Sequence, residues 1–549
     1  MLKNLFTLFL VFISISASAQ FYGWSRSFGG SGTDTCASLA IDSKADLYIL
    51  GSFSGSGEFR NDSLFDKLSA TGGEDIFLQK RSKKGKYIRS KKIGGKGNDR
   101  PTSMIYHKGS IYISGTIEDS VDFGIVKVAS KGKRTIFIAK MDTIGNFIWV
   151  KTIGDSLYSR ARSLAINNDG IYLSGEITGK LENVSYINSM FLQKLDFNGN
   201  VSWTKTFGTK RSVVSNSITT DSLGNIYNVG GLLGNNVDFN PASNKDSILS
   251  ITSASSLDIF VQKLNSNGEF KWAFKMGSAA EATSIVIKGD ELFLAGNFSS
   301  TVDFDPSSVG IKNLTSNGNA KDIFIGKYDL NSKLIWVNQI GSTSEEIAKQ
   351  LEVDKYKNIY LHGTFSTKNG TSTNFLGLTL STPGNTDAFL LKFNNLGKGI
   401  LAKTFGGTKT DFGGAIKADT MQNIYVAGSF MESIKLDPTK TYTSVGANDI
   451  FIYKSLLFEE TESSSISENS LNIKVYPNPV SDNLYLTFDQ LLESATLSIT
   501  TLNGQTIQSK QILQGQTSEN INTNDLIPGI YFVQLSSGIN TYTYKIHKI

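Results

Sequence analysis

The sequence predicts an all-β protein: a seven-bladed β-propeller closed by an N-terminal strand, followed by a small Ig-like β-sandwich. Three observations predict it. The string IYLSGEI at 171–177 recurs as LYILGSF (47–53), IYISGTI (111–117), IYNVGGL (226–232), LFLAGNF (292–298), IYLHGTF (359–365) and IYVAGSF (424–430). Two other strings travel with it in a fixed order, and a period of about sixty residues marks one supersecondary unit repeated. The order is also permuted at the ends, as a ring requires and an open array does not.

Each element follows from these strings. A short segment such as SLAID (38–42), SLAIN (163–167) or AIKAD (415–419) precedes the central string and supplies the first strand. The central string is the second. DIFLQK (75–80), with TIFIAK, SMFLQK, DIFVQK, DIFIGK, DAFLLK and DIFIYK, is the third. Segments ending in an apolar residue and glycine are the fourth, such as FIWVKTIG (147–154) and VSWTKTFG (201–208). All are short, rich in β-branched and aromatic residues, and bounded by Gly, Asn, Asp or Ser. DSLGN (221–225) and DTIGN (142–146) put Gly and Asn where tight hairpins need positive φ. The chain begins with a fourth-strand string, WSRSFGG (24–30), that has no partners before it, and the seventh unit stops at Lys454 without one. Pairing the two ends closes the ring and removes its exposed edges. The glycine of each central string lets strands crowd or permits a bulge. The lysine ending each third strand is expected to snorkel at the strand end.

The second-to-third connections, 54–74, 118–134, 233–257, 299–321, 366–386 and 431–448, with a shorter one at 178–188, are expected to be long and irregular. They share one face with the links between units, where function usually sits. Carboxylates follow the strand-ending glycine at Asp34, Asp99, Glu281, Glu346 and Asp411. They are candidates for a cation such as calcium at the mouth of the channel, or caps of their own loops. VDFG (121–124), VDFNP (237–241) and VDFDP (302–306) echo a calcium loop without its remaining acidic positions. No other cofactor is expected.

Composition narrows the function. With 54 Lys and Arg against 49 Asp and Glu, interspersed, the chain offers no basic patch for nucleic acid. One cysteine, Cys36, excludes an internal disulfide and reads as a small apolar residue. The three histidines have no metal-ligand spacing, and His362 reads as a packed core residue. No nucleophile elbow or phosphate loop is present, so the protein is not expected to be an enzyme. Lys3, the apolar run 5–15 and Ala17-Ser18-Ala19 predict a signal peptide over 1–19. No transmembrane segment is expected in the mature chain. The propeller spans 20–457, and the acidic, Ser-rich 458–470 is a tether.

From Leu471 the pattern changes to VYPNPVSDNLYL, an LNGQ turn, DLIPGIYFVQL and a basic last strand, which predict a sandwich of about seven strands. Pro477, Asn478, Pro479, Asn503, Gly504, Pro528, Gly529, Tyr531 and Lys545 carry the motif. Residues 471–549 resemble the type A C-terminal sorting domain of cargo of the Bacteroidota type IX secretion system. The resemblance implies that machinery as a partner and release or attachment at the cell surface. Residues 21–455 resemble SBBP-type β-propeller repeats, which leave activity open. The expected function is binding or adhesion to an extracellular glycan or protein. A polysaccharide-directed enzyme and a structural surface protein are the alternatives.

Overall fold

The computed structural model describes residues 22–549 except 60–66, 131, 155–157, 182–183, 209–212, 241–246, 252–255, 319, 368–371, 383, 385, 438–439, 456–472, 489–493, 502–504 and 538–539. The predicted signal peptide and the whole of the tether lie outside the described residues. Every element among them is a β-strand. The chain divides into Met1–Phe458 and Glu459–Ile549.

The first division is propeller-like, built of many small antiparallel sheets. Unit 1 runs Asp34–Ile41, Leu47–Phe53, Asp75–Arg81 and Tyr87–Ile93, each strand hydrogen-bonded to the next. The same four-strand order recurs in units starting at Arg100, Tyr158, Val213, Ala280 and Glu346. A last unit comprises Phe412–Ala418, Ile424–Phe430 and Asp449–Ser455, and its fourth strand is Tyr22–Gly30. That strand pairs from Tyr22↔Ser455 to Phe28↔Ile450. First strands of successive units pack side by side, and Phe412–Ala418 lies beside Asp34–Ile41. At six of these contacts a side chain, Ser38, Ser103, Ser163, Ser217, Ser284 or Gln350, accepts a backbone N–H of the next first strand at 3.0–3.4 Å.

The central glycines have a packing cause. Gly51, Gly115, Gly175, Gly230, Gly296, Gly363 and Gly428 each face a β-bulge in the first strand and a phenylalanine in the third. At all but Gly230 a first-strand carbonyl and the phenylalanine ring close over the glycine from its two sides. A Cβ on Gly175 would sit 2.7 Å from the Phe191 ring, and one on Gly296 2.7 Å from Phe324. Phe77, Phe137, Phe191, Phe260, Phe324, Phe389 and Phe451 are buried as a result, each contributing about 1.5–3 kcal/mol of hydrophobic stabilisation.

The lysines do not snorkel. Lys80, Lys194, Lys327, Lys392 and Lys454 are buried. Each third-strand lysine except Lys327 stands 4.8–5.8 Å from the tyrosine ring of its own second strand. Lys327 faces Phe293 at 5.6 Å. In five units, through Lys140, Lys194, Lys263, Lys327 and Lys454, the ammonium also reaches the third-to-fourth turn of the next unit, whereas Lys80 pairs with Asp42 and Asp46 at 2.9 and 3.2 Å. Lys140 and Trp149 Nε1 both donate to the Phe197 carbonyl, at 3.3 and 3.1 Å. Lys194 and Trp203 share Ser266, and Lys327 and Trp336 share Asn395. Lys454 and Trp24 share Lys83 across the two ends of the repeat region. A charged donor with a carbonyl and a ring face within reach need not extend to water.

The predicted irregular connections are largely structured. Small hairpins such as Ser120–Asp122 with Lys127–Ala129, and Thr301–Asp303 with Asn313–Thr315, fold over the sheet ends. The VDF strings form their inner arms. Val302 and Phe304 are buried, and Phe304 packs 4.7 Å from Phe324. Unit 3 differs: its strands Ile171–Leu181 and Val184–Leu195 continue the main sheet instead.

The second division has two sheets. One orders Ile473–Tyr476, Asn483–Phe488 and Ser518–Asn522. The other orders Thr506–Ile512, Ala495–Thr501, Gly529–Ser537 and Asn540–Lys548. Alternating residues including Leu484, Leu486, Leu497, Ile499, Val533, Leu535 and Ile546 form their shared core.

Candidate functional site

The face carrying the hairpins holds the acidic candidates, but most are shut inside it. Asp34, Asp99, Glu346 and Asp411 are buried. Each accepts backbone N–H groups of its own link. Gly30 N–H donates to Asp34 at 2.6 Å, Gly95 to Asp99 at 2.7 Å, Ser342 to Glu346 at 3.0 Å and Gly407 to Asp411 at 2.7 Å. Each also faces the aspartate that opens a third strand: Asp449, Asp75, Asp322 and Asp387 respectively. A Cβ on Gly29 would lie 2.5 Å from both Asp34 Oδ2 and Asp449 Oδ1, which explains the strand-ending glycine. In the Asp34–Asp449 pair, Oδ1 of both residues is buried without a hydrogen-bond partner.

Burial outweighs these hydrogen bonds. It pushes Asp34 and Asp99 up to about 7, Glu346 to about 8, Asp387 to about 7 and Asp411 to about 6. Asp322 and Asp449 are raised for the same reason. Each junction therefore retains a proton near neutrality. Two carboxyls with backbone donors are short of the six to eight oxygens calcium takes. Among the described residues no three His, Cys, Asp or Glu side chains gather to hold a metal ion. The VDF aspartates are engaged in their hairpins: Asp303 Oδ1 accepts Asp305 and Lys312 N–H at 3.0 and 2.8 Å.

Glu281 does not belong with the others. Asp34 pairs with Phe53 and Glu346 with Phe365, but their counterpart in unit 5 is Ala280, paired with Phe298. One residue along a strand reverses the face, so Glu281 aligns with Thr35, Arg100, Arg160, Val214, Ile347 and Phe412. Thr35, Arg100, Arg160 and Phe412 are exposed.

Around unit 3 this row gathers charge. Arg100 binds Glu74 through Nε and Nη2 at 2.6 and 3.0 Å. Arg134 binds Glu118 at 2.8 Å, and Arg162, on the bulge, binds Glu176 Oε1 through Nε at 2.8 Å. Arg160 lies opposite Glu176 in the ladder but makes no ion pair among the described residues. Partial burial, then Arg162, with Arg134 and Arg100 beyond, lower its proton affinity below the ordinary arginine range, and Glu176 opposes them. Sequence reading missed this cluster. Its signal was two arginines, Arg100 and Arg160, at one repeat position.

The remaining residues are structural. His362 is buried, with Nδ1 2.6 Å from the Phe389 carbonyl, and burial lowers it to about 4. Burial raises the Cys36 thiol to about 12. In the second division, Asn478 donates to the Lys545 carbonyl and accepts His547 N–H, both at 2.9 Å, tying the Pro477–Pro479 turn to the last strand. Tyr531, next but one after Gly529 and close to Pro528, donates to the Ile527 carbonyl at 2.9 Å. Asn503 and Gly504 lie outside the described residues.

Residues 474–548 match the family described as Secretion system C-terminal sorting domain. That tail indicates a secreted, cell-surface protein handled by the type IX secretion system. No helix among the described residues is long and apolar enough to cross a membrane. The chain is 24% identical over 409 residues to the uncharacterized WD repeat-containing protein L264 of Acanthamoeba polyphaga mimivirus, covering 61% of this chain and 29% of that one. It thus spans under a third of that protein. Among solved structures, the parainfluenza virus 5 hemagglutinin-neuraminidase ectodomain is similar with 9% identity and a TM-score of 0.35, over 80% of this chain and 83% of that one. Trypanosoma rangeli sialidase in complex with sialic acid shows 9% identity and a TM-score of 0.32, over 94% and 89%.

Proposed function

We propose that the mature chain is a surface-displayed binding or adhesion module for an extracellular glycan or protein. Its repeats, of SBBP type, form a seven-bladed propeller closed by the N-terminal strand. A signal peptide over 1–19 takes it to the periplasm, and residues 471–549 take it through the outer membrane. Closure is supported by the Tyr22–Gly30 pairing and by the Trp24–Lys454 contact to Lys83, which repeats the contacts between interior units.

One observation carries binding over catalysis. The carboxyls with raised proton affinity, which a hydrolase would use as acid and base, are buried in unit junctions, while the exposed row presents Thr35, Arg100, Arg160 and Phe412. The purified mature protein should be retained on an array of glycans and surface proteins without releasing product. Turnover of a polysaccharide, lost on Asp411→Asn, establishes the enzyme instead. Deleting 471–549 should hold the protein in the periplasm; unchanged surface delivery overturns the export route.

A further inference from the structure

We infer that Arg160 is the anion-recognition residue of this binding face, and that the group it takes is a carboxylate or sulfate carried by an acidic polysaccharide. The inference rests on the binding reading and names its ligand class.

The charges around unit 3 do not balance. Among the described residues, four guanidinium groups, Arg100, Arg134, Arg160 and Arg162, meet three carboxylates, Glu74, Glu118 and Glu176. Each carboxylate is taken. Glu74 is held by both forks of Arg100, Glu118 by Arg134 and by Asn98 at 3.0 Å, and Glu176 by Arg162. Arg160 is left exposed, engaged by none of the described carboxylates and with three other cations close by. An oxyanion entering there meets a planar fork suited to two parallel hydrogen bonds. The neighbouring cations add attraction for it.

The surroundings fit the same use. Arg160 is the third residue of the first strand of unit 3, at its hairpin-bearing end, and the second and third strands of this unit extend the sheet instead of folding a separate hairpin over it. The same row carries exposed Phe412 and half-buried Val214 and Ile347, which offer apolar faces to a sugar ring. Of these, Val214 lies on the first strand next to that of Arg160, and one fork with an apolar neighbour suits a repeating unit bearing one charge. A folded acidic protein would instead need a matching patch of about 800 Å².

The test uses the mature full chain in affinity electrophoresis and calorimetry, with polygalacturonate, dextran sulfate, neutral dextran and poly-glutamate as probes. Polygalacturonate, dextran sulfate or both should bind, weaken with salt, and lose about tenfold in affinity on Arg160→Ala, the scale of a charge-assisted pair. Arg160→Lys should recover part of the loss, and Lys127→Ala, an exposed cation on a hairpin of the same face, should change nothing. A difference between the first two probes tells carboxylate from sulfate. Unchanged affinity in Arg160→Ala overturns the assignment, as does equal loss in Lys127→Ala. Arg160-dependent binding of poly-glutamate alone replaces the polysaccharide with an acidic peptide. Binding of neutral dextran with no acidic probe bound defeats this inference but leaves the binding reading standing; no retention of any ligand defeats both. Urea midpoints of the variants separate lost binding from lost fold.

Discussion

At the scale of single residues, the repeated glycines and aromatics are one device. Six of the seven central glycines sit where a first-strand carbonyl and a phenylalanine ring converge, and Gly230 meets first-strand backbone alone, so a methyl group has nowhere to go. Gly296→Ala should destabilise by about 1–3 kcal/mol, the usual cost of overpacking, read from its urea midpoint. Gly124→Ala is the contrast: its φ of 86° strains any side chain, but nothing lies within 4 Å of the added atom. His362 belongs to this scale too. Held near 4 by burial, it stays neutral at physiological pH and contributes no charge switch. The glycine and its aromatic partner were legible in the sequence as recurring strings. Their contact was not, because it needs the register between strands.

At the scale of elements, junctions between units are held at both ends. On one face, third-strand lysines and fourth-strand tryptophans converge on a turn carbonyl of the next unit. Trp336→Phe removes one donor to Asn395 and should cost about 1 kcal/mol, measured against Trp272→Phe, whose indole makes no such bond. The sequence held a clue. The fourth-strand tryptophan is replaced by Leu401 in unit 6, whose neighbour has no third-to-fourth turn of its own because its fourth strand comes from the N-terminus, and by Arg89 in unit 1, which donates to the Ile144 carbonyl of the next turn instead. On the other face, the carboxyl pairs make stability depend on pH. Their folded pKa values are raised above the unfolded ones, so the folded state binds more protons. The stabilisation is complete below about pH 4 and lost as pH rises through 6 to 8. The melting temperature should fall between pH 5 and pH 9, and Asp34→Asn, which keeps a neutral group beside Asp449, should flatten that fall. A rise in melting temperature over the same range contradicts the paired-proton account.

At the scale of the whole molecule, the first strand completes the last unit. Removing residues 22–30 strips the Asp449–Ser455 edge and takes away Trp24 and Phe28, both buried. An unpaired edge is a template for another chain, so the truncated protein should elute as dimers or aggregates in size-exclusion chromatography where the intact chain elutes as one species. A truncated monomer of unchanged stability argues against the ring. By itself the sequence determined the repeating strand order, the split last unit and the sorting tail, because these are written in local periodicity and contiguous motifs. Only the tertiary structure decided which face each carboxylate occupies, what the lysines touch, and that Arg160 makes no ion pair with a described residue. Those depend on strand register and on contacts between residues tens of positions apart, where a shift of one residue, as at Glu281, turns a side chain to the other side of the sheet.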